Sequence, residues 1–202
     1  MDLSQIIENS LYFLALINPI SKVLFIASKC PAYSRQELIS IPIRSTIVAF
    51  LILVISTSVG DFLMVRVFHV EIYSLSVAGG IILFIIGLTA VRKGRFFEED
   101  KENHKSQDIS VVPLAAPLIA GPGTMTAAIS FASMHGTIVT TLCVAIAVLI
   151  NLVFMLLSSQ INRAVEKLNA TEPLIRITGL IVTAVAMQMI FNGCATWVAR
   201  TI

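Results

Sequence analysis

The stretch LYFLALINPISKVLFIAS, Leu11 to Ser28, decides how this chain is read. It is apolar enough to enter a bilayer, yet Asn18-Pro19-Ile20-Ser21 interrupts its middle and Lys22 adds a charge. Proline inside a helix removes a donor and clashes with the preceding turn, at a cost of about 3 kcal/mol. A second interruption, Ala120-Gly121-Pro122-Gly123, follows 103 residues later, proline to proline. A chain that places two such breaks in apolar segments has a use for broken helices.

The surrounding composition is that of an integral membrane protein. Of 202 residues, 56% are hydrophobic and 13% charged, about half the charged share of a soluble domain. Ile72 to Val91 and Ile177 to Ala199 contain no charge, and from Ile109 to Asn162 the only ionisable side chains are His135 and Cys143. Runs of about 20 such residues span a bilayer as helices. The N-terminus, MDLSQIIEN, has two acids and no Lys or Arg, so it is not read as a cleaved signal peptide. Cys30, Cys143 and Cys194 form no paired motif and are expected to be small buried hydrophobes.

Six spans follow. The first covers Gln5 to Ser28. Cys30 to Tyr33 form a turn, and Ser34 with Glu37 form a capping box that starts the second span at Arg35. It runs to Met64. The third is Ile72 to Arg92, and a polar linker follows from Gly94 to Asp108, holding five acids, three bases and the surface residue His104. The fourth, Val111 to Met134, is interrupted at Gly121-Pro122-Gly123. His135-Gly136 turns the chain into the fifth, Thr137 to Ile161, and Thr171 with Pro173 opens the sixth, which ends near Ala199.

Lys and Arg set the orientation. Lys22, Lys29, Arg35, Arg44, Arg92, Lys93, Arg95, Lys101, Lys105, Arg163, Lys167 and Arg176 all fall on one side, against Arg66 and Arg200 on the other. Both termini are therefore expected outside the cytoplasm.

With Pro19 set over Pro122, each proline breaks the first helix of a three-helix group. LSVAGGII (Leu75 to Ile82) then aligns with IRITGLIV (Ile175 to Val182), with Gly79 over Gly179 at an offset of 100. Because three is odd, the second group enters from the opposite side. The expected fold is an all-α membrane protein with two inverted-topology three-helix repeats, 1–93 and 111–202, joined by a cytoplasmic linker, 94–110. Secondary transporters are built this way, with solute held on broken helices.

A break at membrane depth must face protein or a cavity. It frees carbonyls near Leu16 to Asn18 and Ile119 to Gly121, and amides near Ser21 to Val23 and Gly123 to Thr126. The amide ends favour a carboxylate and the carbonyl ends a cation, so a small zwitterion such as a free amino acid suits both. Ala115, Ala116, Ala120, Thr124 and Thr126 leave room and offer hydroxyls. Lys22, four residues beyond Asn18, either shares the face of Asn18 or snorkels to the basic side. Asp61 is read as an interface carboxylate, with ion coupling as the alternative. Asn151, Gln188 and Asn192 are read as interhelical hydrogen-bonding groups. Ser56 to Ser58, Gly79, Gly80, Gly87 and Gly179 are read as close-packing positions.

No catalytic constellation, metal-ligand spacing or phosphate loop stands out, and no nucleic-acid surface. No enzyme activity, cofactor or metal is expected.

These motifs resemble the MarC family, also called UPF0056 membrane proteins. The resemblance lies in INPIS for the family's NP(I/L)G, VAGGIILFIIGL (Val77 to Leu88), PLAAPLIAGPG (Pro113 to Gly123) and GLIVTAVAMQMIFNG (Gly179 to Gly193). It implies a multi-pass protein of the bacterial inner membrane. Through archaeal relatives, it also implies a transporter of small neutral amino acids such as glycine and alanine. Asn18, Pro19, Ser21, Gly121, Pro122, Gly123 and Thr124 would frame the substrate site. Ser21 stands where the family has glycine, and Leu24 where it often has proline, so the first helix is expected to be less sharply broken than the fourth. The implied partners are a small solute and the lipid bilayer. The residues admit H+ or Na+ coupling and assembly as a homo-oligomer. Export of another small amphiphilic solute, and a non-transporting scaffold with static kinks, are the alternative readings.

Overall fold

The computed structural model describes residues 3–29, 34, 36–94, 119–167 and 170–201. The turn Cys30 to Tyr33, Arg35, the linker beyond Gly94 with His104, and the first half of the fourth span, with Ala115 and Ala116, lie outside the described residues.

Every described element is helical. The first span divides into α1 (Leu3–Ile17) and α2 (Pro19–Lys29). Next come α3 (Glu37–Asp61), which continues as a widened π-helical turn, Phe62–Val67, and α4 (Ile72–Lys93). The second half holds α5 (Pro122–His135), α6 (Thr137–Leu156), α7 (Ser158–Lys167) and α8 (Thr171–Thr201). Five segments are long and apolar enough to cross a membrane among the described residues: Ser4–Ile26, Glu37–Val67, Ile72–Lys93, Thr137–Leu156 and Thr171–Arg200.

Local chemistry sets the helix ends. The Ser34–Glu37 capping box forms: the Ser34 amide donates to Glu37 Oε2 at 2.8 Å and the Glu37 amide to Ser34 Oγ at 3.3 Å. Each side chain thereby satisfies an amide that the first helical turn leaves free. Gly94 ends α4 with φ +65°, and Gly136 turns α5 into α6 with φ +87°, both conformations that disfavour a side chain. The fifth span is shorter than the expected Thr137 to Ile161. It ends at Leu156, where the sequence turns polar, and α7 continues as a separate amphipathic helix lying on α2.

Packing explains the glycines. α4 and α8 lie antiparallel along most of their length, with Gly193 on Tyr73, Gly80 on Ala186 and Gly87 on Gly179. α5 is bedded between α3 and α4 in the same way. A Cβ at Gly60 would lie 2.5 Å from the Ile129 side chain, and one at Gly79 would lie 2.6 Å from Thr126. Without a hydrophobic drive between helices in lipid, such close backbone approach supplies the contact energy. The outer faces are apolar, as in the stripe Ile47, Leu51 and Ile55 on α3.

Candidate functional site

The first break is a sharp one. Proline disfavours helical geometry in the residue before it, and Asn18 takes a left-handed φ of +54°, a conformation that asparagine tolerates. Asn18 then caps α2, its Oδ1 accepting from the Ser21 amide at 3.4 Å, while Pro19 occupies the first helical position, which lacks a partner anyway.

Most of the groups freed by this break are satisfied within the chain. Ser21 Oγ donates to the Asn18 carbonyl at 2.8 Å. Lys22 folds back so that its Nζ donates to the freed Ile17 carbonyl and to Ser21 Oγ, the latter at 3.1 Å. Lys22 is only 3% exposed, so it does not snorkel. Ser21 tightens the break rather than softening it. The carbonyl end expected to await a cation already holds one.

The second break lies at Gly121, which is extended (φ −69°, ψ 166°) immediately before α5. The first α-helical bond of α5 runs from the Met125 amide to the Gly121 carbonyl at 2.9 Å, so the Gly123 and Thr124 amides precede the helical ladder. Thr124 is buried and Pro122 is exposed. Gly123 packs on α4. A Cβ there would lie 2.1 Å from Leu83 Cγ, so the close approach its missing side chain permits is to α4.

Helix register brings the two breaks to one level of the bundle. Gly121 and Asn151 each lie fifteen residues from the Gly136 turn, on α5 and α6 respectively, about 22 Å along each helix. Cys143 Sγ contacts the Ile6 carbonyl at 3.8 Å, and α2 packs on α6 and α7, so α1 and α6 run parallel. Asn151 is eight residues past Cys143 and Asn18 twelve past Ile6, within about 6 Å in depth. Thr57 and Thr141 meet at 3.4 Å between α3 and α6, and Thr46, eleven residues before Thr57, falls about 16 Å further in, near Asn151.

That level carries an unusual deficit. Among the described residues, three buried side-chain polar atoms have no hydrogen-bond partner: Asn18 Nδ2, Thr46 Oγ1 and Asn151 Oδ1. Buried polar groups are almost always paired, and here all three exceptions share one slab of the bundle with the second break. Among the described residues Asn151 makes no interhelical hydrogen bond; its Nδ2 donates to Met155 Sδ, one turn along, at 3.1 Å. Among the described residues no hydrogen bond links the two breaks directly.

A cleft of about 950 Å³ opens at the end of the bundle that bears the termini. Asn9, Asp61, Ser76, Ser130, Gln188 and Arg200 are among its lining residues. Arg200 pairs with Glu71 at 2.8 Å at its mouth. The residues of neither break line it. Tyr12 and Phe131 do, stacked at 5.9 Å, and the buried Phe13 meets Phe131 edge-on at 5.5 Å. Asn18 lies six residues beyond Tyr12 and Gly121 ten before Phe131, about 9 and 15 Å along their own helices. The aromatic cluster therefore stands between the open cleft and the level of the breaks.

Comparison with known proteins gives this architecture its kin. The model of the MarC family of integral membrane proteins matches residues 3–198. The chain belongs to the MarC family. It is 33% identical over 191 residues to a UPF0056 membrane protein of Pyrococcus horikoshii, covering 95% of this chain and 94% of the relative. With the UPF0056 membrane protein YvbG of Bacillus subtilis it shares 32% over 205 residues, covering 96% and 95%. A UPF0056 membrane protein of Buchnera aphidicola is 30% identical over 201 residues, covering 95% and 93%. No solved structure matches the chain. As a MarC family member with several apolar spans, the protein is a multi-pass integral membrane protein.

Proposed function

We propose that this MarC family protein is a secondary transporter of small neutral amino acids of the glycine and alanine class. The solute is held where the first and fourth spans break, at Asn18, Pro19, Ser21, Gly121, Pro122, Gly123 and Thr124. Gly123 serves there mainly by letting α5 lie on α4. The observation that carries this reading is the set of unpaired polar atoms on Asn18, Thr46 and Asn151 at the level of both breaks. A polar solute visiting that level supplies the missing partners, and a static kink has no reason to leave them unmet.

Two three-helix repeats of opposite topology, 1–93 and 111–202, rock about this level. The packing pattern supports the symmetry. Exchanging α1 and α2 with α5, α3 with α6 and α4 with α8 turns the α1–α6 contact into the α3–α5 contact, and leaves α3–α6 and α4–α8 unchanged. The membrane is a bacterial inner membrane, with the cleft and both termini outside the cytoplasm. Arg44, Arg92, Lys93, Arg163, Lys167 and Arg176 stand at the opposite end. The cleft is then an outward vestibule, closed below by Tyr12, Phe13 and Phe131.

Uptake of radiolabelled glycine or alanine into proteoliposomes, with and without an imposed H+ or Na+ gradient, tests the proposal. Saturable flux that one gradient accelerates is the expected result. No saturable flux for any small amino acid removes it.

A further inference from the structure

We infer that the first break recognises a solute by its carboxylate, through the ammonium of Lys22 and the side-chain amide of Asn18, and that a solute amino group is dispensable there. The inference deepens the transporter reading and rests on it.

A buried ammonium inside a membrane span is expensive unless it meets an opposite charge. Lys22 is 3% exposed, and no carboxylate among the described residues lies within 4 Å of it. Its two acceptors, the Ile17 carbonyl and Ser21 Oγ, are neutral. An ammonium carries three donors, so among the described residues one N–H and the whole positive charge remain for a ligand. Asn18, 6% exposed, belongs to the same network through Ser21, and its Nδ2 donor has no partner.

Two unspent donor groups, one of them cationic, call for a group that only accepts. An ionised carboxylate accepts through two oxygens and forms its strongest hydrogen bonds with charged donors. The amino group of a zwitterion fares differently at this break. The Ile17 carbonyl already receives Lys22, and the Asn18 carbonyl receives Ser21 Oγ. Ser21 and Lys22 act together here, since Ser21 Oγ links the lysine to the Asn18 backbone. The first break by itself thus selects small carboxylates, and the unpaired Asn151 Oδ1 at the same level takes an α-amino group where the solute has one.

Equilibrium binding of radiolabelled alanine to the purified full-length protein, with competition, tests this. Propionate, which lacks the amino group, is expected to displace alanine, and alaninamide, which lacks the carboxylate, is expected not to. Lys22→Gln should weaken alanine and propionate binding by about thirtyfold or more, while Lys22→Arg, which keeps the charge, should retain both. Displacement by alaninamide but not by propionate overturns the inference, as does wild-type alanine affinity in Lys22→Gln. If Lys22→Gln does not fold, the two competitors on the wild-type protein decide alone. Saturable propionate binding without alanine binding removes amino acids as solutes and leaves the carboxylate site standing. Saturable binding of neither overturns the broken-helix reading and this inference with it.

Discussion

Replacing Asn18 with glycine is expected to weaken saturable uptake about tenfold or more while leaving the protein folded. Glycine adopts the φ of +54° found at this position without strain. As a helix cap it replaces asparagine at a cost of only a few tenths of a kcal/mol, so loss of the 3.4 Å bond to the Ser21 amide changes stability little. What disappears is the unpaired Nδ2. A hydrogen bond to a charged solute group contributes about 1.5–3 kcal/mol, so affinity should fall by about tenfold to a hundredfold. Asn18→Leu supplies the contrast. It also removes the amide but places a branched side chain at positive φ, and it should lower the melting temperature as well. Uptake by Asn18→Gly at the wild-type rate would remove Asn18 from the site.

The second large effect is on folding. Gly87→Leu should prevent recovery of a monodisperse protein or lower its melting temperature steeply. A Cβ at Gly87 would lie 2.4 Å from Thr183 Oγ1 and 2.8 Å from both the Gly179 carbonyl oxygen and the Thr183 amide nitrogen. Two of these three atoms are backbone and cannot rotate away, so α4 and α8 must separate. Overpacking of this kind costs about 3 kcal/mol or more. Gly136→Ala is the control. No atom lies within 4 Å of its Cβ position, and only the backbone conformation, φ +87° and ψ 151°, resists substitution, at about 1–3 kcal/mol. Equal melting temperatures for Gly87→Leu and the wild type would contradict the close α4–α8 contact.

Much of this was legible in the residues, and what was not has a physical cause. Asn-Pro announced a helix start because proline constrains the residue before it and asparagine caps. Ser34 and Glu37 announced theirs by a spacing that works only at a first turn. Gly80, Gly87 and Gly179 recurred on faces where helices touch. The destination of Lys22 was not legible. Its path inward depends on the Ile17 carbonyl being free and within reach, and a sequence places a lysine four residues from a break without saying which way it folds. The neighbour of Gly123 was not legible for a similar reason. A glycine permits close approach, but whether a ligand or Leu83 makes that approach is a tertiary fact. The gathering of Asn18, Thr46 and Asn151 was hidden because it arises from the register of three helices far apart in the chain. The break at Leu157 escaped because the apolar-to-polar change there also fits a single helix emerging from the membrane.

Solute protection of single cysteines tests the central claim, that solute binds at the level of the breaks, most directly. With Cys30, Cys143 and Cys194 replaced by alanine, one variant carries Thr124→Cys at the second break and another Ser133→Cys in the cleft. Each is labelled with a small thiol reagent in the presence and absence of alanine. Alanine should slow labelling at position 124 and leave position 133 unchanged. Protection at 133 with none at 124 would place the solute in the cleft and contradict a site at the breaks.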